Sequence, residues 1–328
     1  MSNNELVNHN SSLNRVSFTK KPLNFHQQIN LLEARGMNFN DKHAAYFLLQ
    51  HINYYRLQAY WFTYYETNEP DHRFPPGTSF CNILRDYYFD QKLRLHLLKG
   101  LECIEISFKA QFAYNLAHKY GAFPLQKENF NFSSNAWSER INKLKEECAA
   151  SKEQFAEHMR NKYECEIFPI WALVEILSFG SIVTFYSYMK DISVMKEISK
   201  VYGLQPPVLR SWLQHLYDVR NICAHHARLW NRRFVKTPME ATAIRPDIQK
   251  RWLPAPSKKT DTSEHRNDRR IYNTFLIIDY LLSNIDSNNN SNKNWKPKLV
   301  SLIDEYKVDA RRMGFPDSWR DDSFWASL

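Results

Sequence analysis

The stretch from Phe80 to Lys119 holds no proline and a single glycine, Gly100. Along it Ile83, Leu84, Tyr87, Tyr88, Leu95, Leu98, Leu101, Ile104, Phe108, Phe112 and Leu116 follow a helical period. A helix of this length runs to roughly 60 Å at 1.5 Å per residue. Such a rod serves as the spine of a bundle or a dimer face, and Gly100 is where it bends or admits a neighbour. Glycine is scarce throughout, 7 in 328 residues. Neither G-x-G-x-x-G nor G-x-x-x-x-G-K-[ST] occurs, which removes the two commonest phosphate cradles. No segment alternates as a half-buried strand does. The expected fold class is all-α with one very long helix.

The rest of the chain reads as shorter helices. One begins at Asn24 and stops at Gly36. A second, rich in Tyr, Phe and Trp, is expected over 41–66, as core or as a surface on which bases stack. A charged helix is expected over 136–163. An apolar segment from Ile170 to Met189 is broken at Ser178-Phe179-Gly180-Ser181. Helices follow from Val208 to about Arg228, from Ile271 to Leu282 and around Leu299–Arg311. The organisation is a polar arm over 1–18, a helical domain over 19–283, an Asn-rich linker over 284–294, and a C-terminal helix and tail over 295–328.

The N-terminal residues lack the apolar core of a secretory signal, and no run of 18 apolar residues exists. The five cysteines are scattered and form no C-x-x-C, as expected of reduced, mostly buried thiols in a cytoplasmic protein. The net charge of +9 admits an anionic partner.

The chemistry concentrates in Arg220-Asn221-Ile222-Cys223-Ala224-His225-His226, followed by Arg228, Arg232, Arg233 and Lys236. Imidazole exchanges protons near neutral pH, and guanidinium binds phosphate through two parallel hydrogen bonds. These are the parts needed to cleave RNA without a metal: a base, an acid and a cation for the charged transition state. Asn221 and His225, four residues apart, share a helix face, so the amide is expected to orient the ring. Two copies facing across a two-fold axis would pair the His and Arg groups. Glu175, on an apolar helix, reads either as a buried carboxylate that supports Arg220 or another cation, or as a plain surface residue. Cys223 with the two histidines has the wrong spacing for a tetrahedral metal site. Arg210 and His215 repeat the Arg-x4-His spacing without the Asn, a chance match.

Arg220-Asn221-x-x-x-His225 resembles the R-N-x-x-x-H signature of HEPN ribonucleases. The longer string from Arg220 to Arg232 is similar to bacterial abortive-infection proteins of the AbiD/AbiF type. Further parts agree: Lys21-Pro22-Leu23, Ile52-Asn53-Tyr54-Tyr55-Arg56-Leu57, Phe89-Asp90-x-Lys92-Leu93-Arg94, Ile104-Glu105, and Trp171-x-x-x-Glu175-x-x-Ser178-Phe179-Gly180. The resemblance covers about residues 20–235. It implies a HEPN-like helical bundle, phage defence, metal-independent RNA cleavage with no cofactor, and action as a homodimer. It makes Arg220, Asn221 and His225 the catalytic candidates, with His226 as a second imidazole. Beside the motif, Arg228, Arg232, Arg233 and Lys236 read equally as phosphate contacts or as a solvated face. A structured regulatory RNA is a further expected partner. Two rival readings stay open: a non-catalytic RNA-binding module on the same scaffold, and an interaction protein that senses a phage component.

Overall fold

The computed structural model describes residue 17 and residues 19–65, 72–254, 269–285 and 294–326. Most of the expected arm over 1–18 and of the linker over 284–294 lies outside the described residues. The helices are α1 (Phe25–Ala34), α2 (Lys42–His51), α3 (Tyr54–Trp61), α4 (Phe80–Tyr120), α5 (Ser134–Ala150), α6 (Gln154–Lys162) and α7 (Ile170–Ile176). They continue with α8 (Phe179–Tyr188), α9 (Ile192–Val201), α10 (Pro206–Ala224), α11 (Pro246–Gln249), α12 (Tyr272–Ile285) and α13 (Trp295–Tyr306). Among the described residues there is no strand, only two isolated bridges, so the chain is all-α. It divides into two compact units after Ile83, within the stretch expected to be one domain.

In the first unit the Asn24 side chain accepts from the Gln27 N–H, and the Gln27 side chain returns the bond to the Asn24 N–H. Gly36 ends that turn at φ +96, a conformation that favours glycine. The helix expected over 41–66 is in fact two. Ile52 is extended, and the Asn53 side chain accepts from the Tyr55 N–H at 2.8 Å. The short amide thus competes with the helical ladder and caps a new helix. A 3-10 turn over Phe62–Tyr64 follows. Its aromatics divide between roles: Tyr60 and Trp61 are buried, whereas Phe47, Tyr55 and Phe62 are exposed.

The second unit is organised on α4, which runs 41 residues as the sequence period predicts. Phe89, Leu93, Leu97, Leu101, Ile104, Phe108, Phe112 and Leu116 recur every three or four residues and are buried. Tyr88 and Leu95, grouped with them by period, instead face solvent, 38% and 58% exposed. A Cβ added at Gly100 would meet Trp295 Nε1 at 2.8 Å and Ile278 Cγ2 at 2.9 Å. Glycine there lets α12 and α13 close onto the spine, and the His96 ring stacks on Trp295. The C-terminal helix is thereby built into this unit, as are Phe315 and Trp325 around Tyr272.

The charged helix expected over 136–163 is also split, into α5 and α6. Ser151 is extended, and its hydroxyl accepts from the Glu153 N–H at 3.4 Å. The break near Ser178 is present as read, with the Ser178 hydroxyl accepting from the Ser181 N–H. Two of the five cysteines, Cys148 and Cys223, are buried; Cys81 is exposed and Cys103 and Cys165 are half-buried.

Gly180 on α8 brings α10 close. A Cβ at this position would overlap the Tyr217 ring. Overpacking of this kind costs about 1–3 kcal/mol. Gly180→Ala is therefore expected to lower the thermal midpoint, while Gly77→Ala, where nothing lies within 4 Å, shows no such steric term and only the strain of its positive φ.

Candidate functional site

The helix that carries the site is α10. Pro206 and Pro207 occupy its first positions, where a missing N–H costs no hydrogen bond. It ends at Ala224, one turn before the expected end near Arg228. The His225 N–H donates to the Asn221 carbonyl at 2.9 Å, the His226 N–H to Cys223 at 3.1 Å, and the Ala227 N–H to Ile222 at 3.0 Å. His226 adopts φ +55. This is a Schellman stop with histidine where glycine usually sits. Both imidazoles are exposed at the helix end. A left-handed non-glycine residue costs roughly 1–2 kcal/mol, so its side chain is retained against a conformational preference. The link between Asn221 and His225 is this backbone bond; among the described residues their side chains are not hydrogen-bonded to each other.

The loop after the stop is held by a buried charge pair on α4. Asp90 and Arg94, four residues apart, are ion-paired and 0% and 5% exposed at their side chains. Asp90 Oδ1 accepts from the Trp230 N–H at 2.6 Å and from the Leu229 N–H at 3.2 Å. Arg94 Nη1 donates to the Ala227 carbonyl at 3.5 Å. The carboxylate thus has partners on both sides, as a buried charge requires. Leu229 and Trp230 are themselves buried. In the sequence Asp90 and Arg94 stand out only as part of the family pattern and as two opposite charges at i, i+4 on an apolar helix face.

Arg220 lines a cleft of about 390 Å³ with Glu102, Glu105, Ile106, Lys109 and Glu175. Its ion-pair partner is Glu105, with Nε to Oε2 at 3.7 Å, and Glu105 also meets Lys109 at 3.5 Å. Glu175, nominated from sequence as a buried partner, is exposed at the last turn of α7 and is not within ion-pair distance of Arg220. Glu175 lies one turn after the exposed Trp171, on the solvent face of a helix whose Ile170, Ala172, Leu173 and Val174 are buried.

The four expected phosphate contacts separate. Arg228 donates to the carbonyls of Trp230 at 2.6 Å and Asn231 at 3.0 Å, and Arg232 to that of Arg228 at 3.1 Å. These two brace the loop. Arg233 and Lys236 are exposed. Cys223 is buried, and burial pushes its thiol up to about 12, which makes it a packing residue. His215 is buried in the core with Nε2 2.7 Å from Thr274 Oγ1, far from the role its Arg-x4-His spacing mimics. Among the described residues no group of three or more His, Cys, Asp or Glu is placed to hold a metal ion.

The model of a family described as Abi-like protein matches residues 47–231, more than half of the chain, and the chain belongs to this abortive-infection family. Comparisons with curated proteins and with solved structures gave no match. Among the described residues no helix is long and apolar enough to cross a membrane.

Two outcomes follow. Asp90→Asn leaves the buried Arg94 without its counter-charge, and breaking such a pair costs about 3–5 kcal/mol, readable by urea denaturation. Burial also holds the His215 imidazole down to about 4, against about 6.5 in an unfolded chain. The unfolded state then binds the proton more readily, so this contribution is complete above about pH 6.5 and is lost as pH falls toward 4. His215→Gln is expected to flatten the loss of stability across that window.

Proposed function

We propose that this chain is a phage-defence ribonuclease of HEPN type that cleaves RNA with side chains alone. The observation that carries this reading is the pair of exposed imidazoles at the stop of α10, just beyond Arg220 and followed by the loop whose Leu229 and Trp230 N–H groups Asp90 anchors. The 2′-hydroxyl attacks the adjacent phosphorus while one imidazole takes its proton. The bond to the 5′-oxygen breaks, and a second, protonated imidazole supplies the proton to that leaving group. Arg220 stabilises the doubly charged phosphorane. The products are a 2′,3′-cyclic phosphate and a 5′-hydroxyl. His225 is the first catalytic imidazole and His226 the second candidate; Asn221 fixes the turn through its carbonyl. Arg233 and Lys236, both exposed, are the cations proposed to meet RNA phosphates. The action is cytoplasmic, and a homodimer supplies two sets of groups. A structured RNA is the proposed restraint, since an unrestrained ribonuclease harms its host.

The test is incubation of purified protein with cellular RNA in the presence of chelator, followed by mapping of the RNA ends. Cyclic phosphate ends are expected from the wild type. Arg220→Ala and His225→Ala should each lower cleavage by roughly 100-fold or more, the scale on which proton transfer and charge stabilisation act. Equal cleavage by His225→Ala, or none by wild type, contradicts the proposal. RNA retention without cleavage, steeply weakened by salt, would favour the binding-module reading instead.

A further inference from the structure

We infer that the solvent side of α4 is the contact between two copies of this chain, packed antiparallel about a two-fold axis beside residues 100 and 101. At 100° per residue, Tyr88, Leu95 and Ile106 fall within roughly 20° of one line along the helix. Leu95 is 58% and Ile106 60% exposed, on a helix whose opposite side is deeply buried. Between them stand Lys99 and Glu102, both exposed. The order Leu95, Lys99, Glu102, Ile106 therefore reads apolar, cation, anion, apolar. Leu95 and Ile106 lie equally far from the midpoint between residues 100 and 101, and so do Lys99 and Glu102.

That order selects both the occupant and its orientation. Turned end over end, a second copy sets the partner's Ile106 on Leu95 and the partner's Glu102 on Lys99. A parallel copy would oppose Lys99 to the partner's Lys99, and like-charge repulsion disfavours that arrangement. A self-complementary patch is what a two-fold interface demands. The exposed Trp171 lies one turn before Glu175 on α7, and Glu175 lines the cleft that also contains Ile106 and Glu102, so the apolar area extends toward α7.

The face adjoins the Arg220 cleft, so the second copy seats its α4 at the cleft mouth. The two sites are thereby brought to the same interface. This consequence rests on Arg220 being a catalytic group; the packing of the two helices does not.

The test is the mass of the full chain in solution by sedimentation, without RNA. Wild type is expected to be a dimer at low micromolar concentration. Lys99→Glu and Glu102→Lys should each weaken association about tenfold or more, and the double variant should restore it. Leu95→Cys chains mixed with Ile106→Cys chains should cross-link under oxidation, and neither should do so alone above the wild-type background from Cys81. A monomeric wild type, a dimer indifferent to both charge reversals, or Leu95→Cys cross-linking to itself overturns the inference. His225→Ala separates the two readings: it should keep the dimer mass whether or not cleavage is lost.

Discussion

The ion pair of Asp90 and Arg94 is the interaction on which the site depends. It sits inside the spine helix, where two charges without partners would be untenable. The Asp90 carboxylate meets that demand by taking the N–H groups of Leu229 and Trp230. The same bonds fix the chain as it leaves the motif helix. A long helix, a buried charge and the loop that follows the motif helix are therefore one assembly. Arg228 and Arg232 add bonds to loop carbonyls, and so confine the residues that follow the imidazoles.

The end of α10 shows how local geometry shapes the chemistry. Had the helix continued to Arg228, His226 and Arg228 would have pointed to different sides of a regular cylinder. The Schellman stop instead turns the chain at His226 and leaves both rings at a helix terminus. Arg220, one turn back, reaches the cleft beside α4, where Glu105 holds it in an ion pair. Its guanidinium is thus oriented from α4, the element that also anchors the loop.

Much of this was readable from residues alone. The spine was legible because forty residues without proline and with one glycine admit little else; Gly100 signalled a bend or a neighbour, and Trp295 and Ile278 are the neighbours. Asn24 and Gly36 bounded α1, and Ser178 broke the apolar segment, because side-chain caps and left-handed turns leave clear residue signatures. The internal breaks at Asn53 and Ser151 were missed, since each is a small polar residue that also occurs within helices. The motif was legible, but the end of its helix was not: a histidine in the left-handed position carries no glycine signal. Glu105 is the partner of Arg220, and Glu175 is the surface carboxylate that was the alternative to a buried partner; helix period cannot say which faces of distant helices meet. Tyr88 and Leu95 fitted the apolar period yet face solvent, a distinction that only packing makes.

The central claim is that the anchored loop and RNA cleavage are one system. Hydrogen exchange at the Leu229 and Trp230 amides, measured beside the cleavage rate in wild type and in Asp90→Asn chains that keep their helix content, tests it directly. The account predicts slow exchange in the wild type, and fast exchange with lost cleavage in the variant. Fast exchange at both amides with cleavage at the wild-type rate would contradict it.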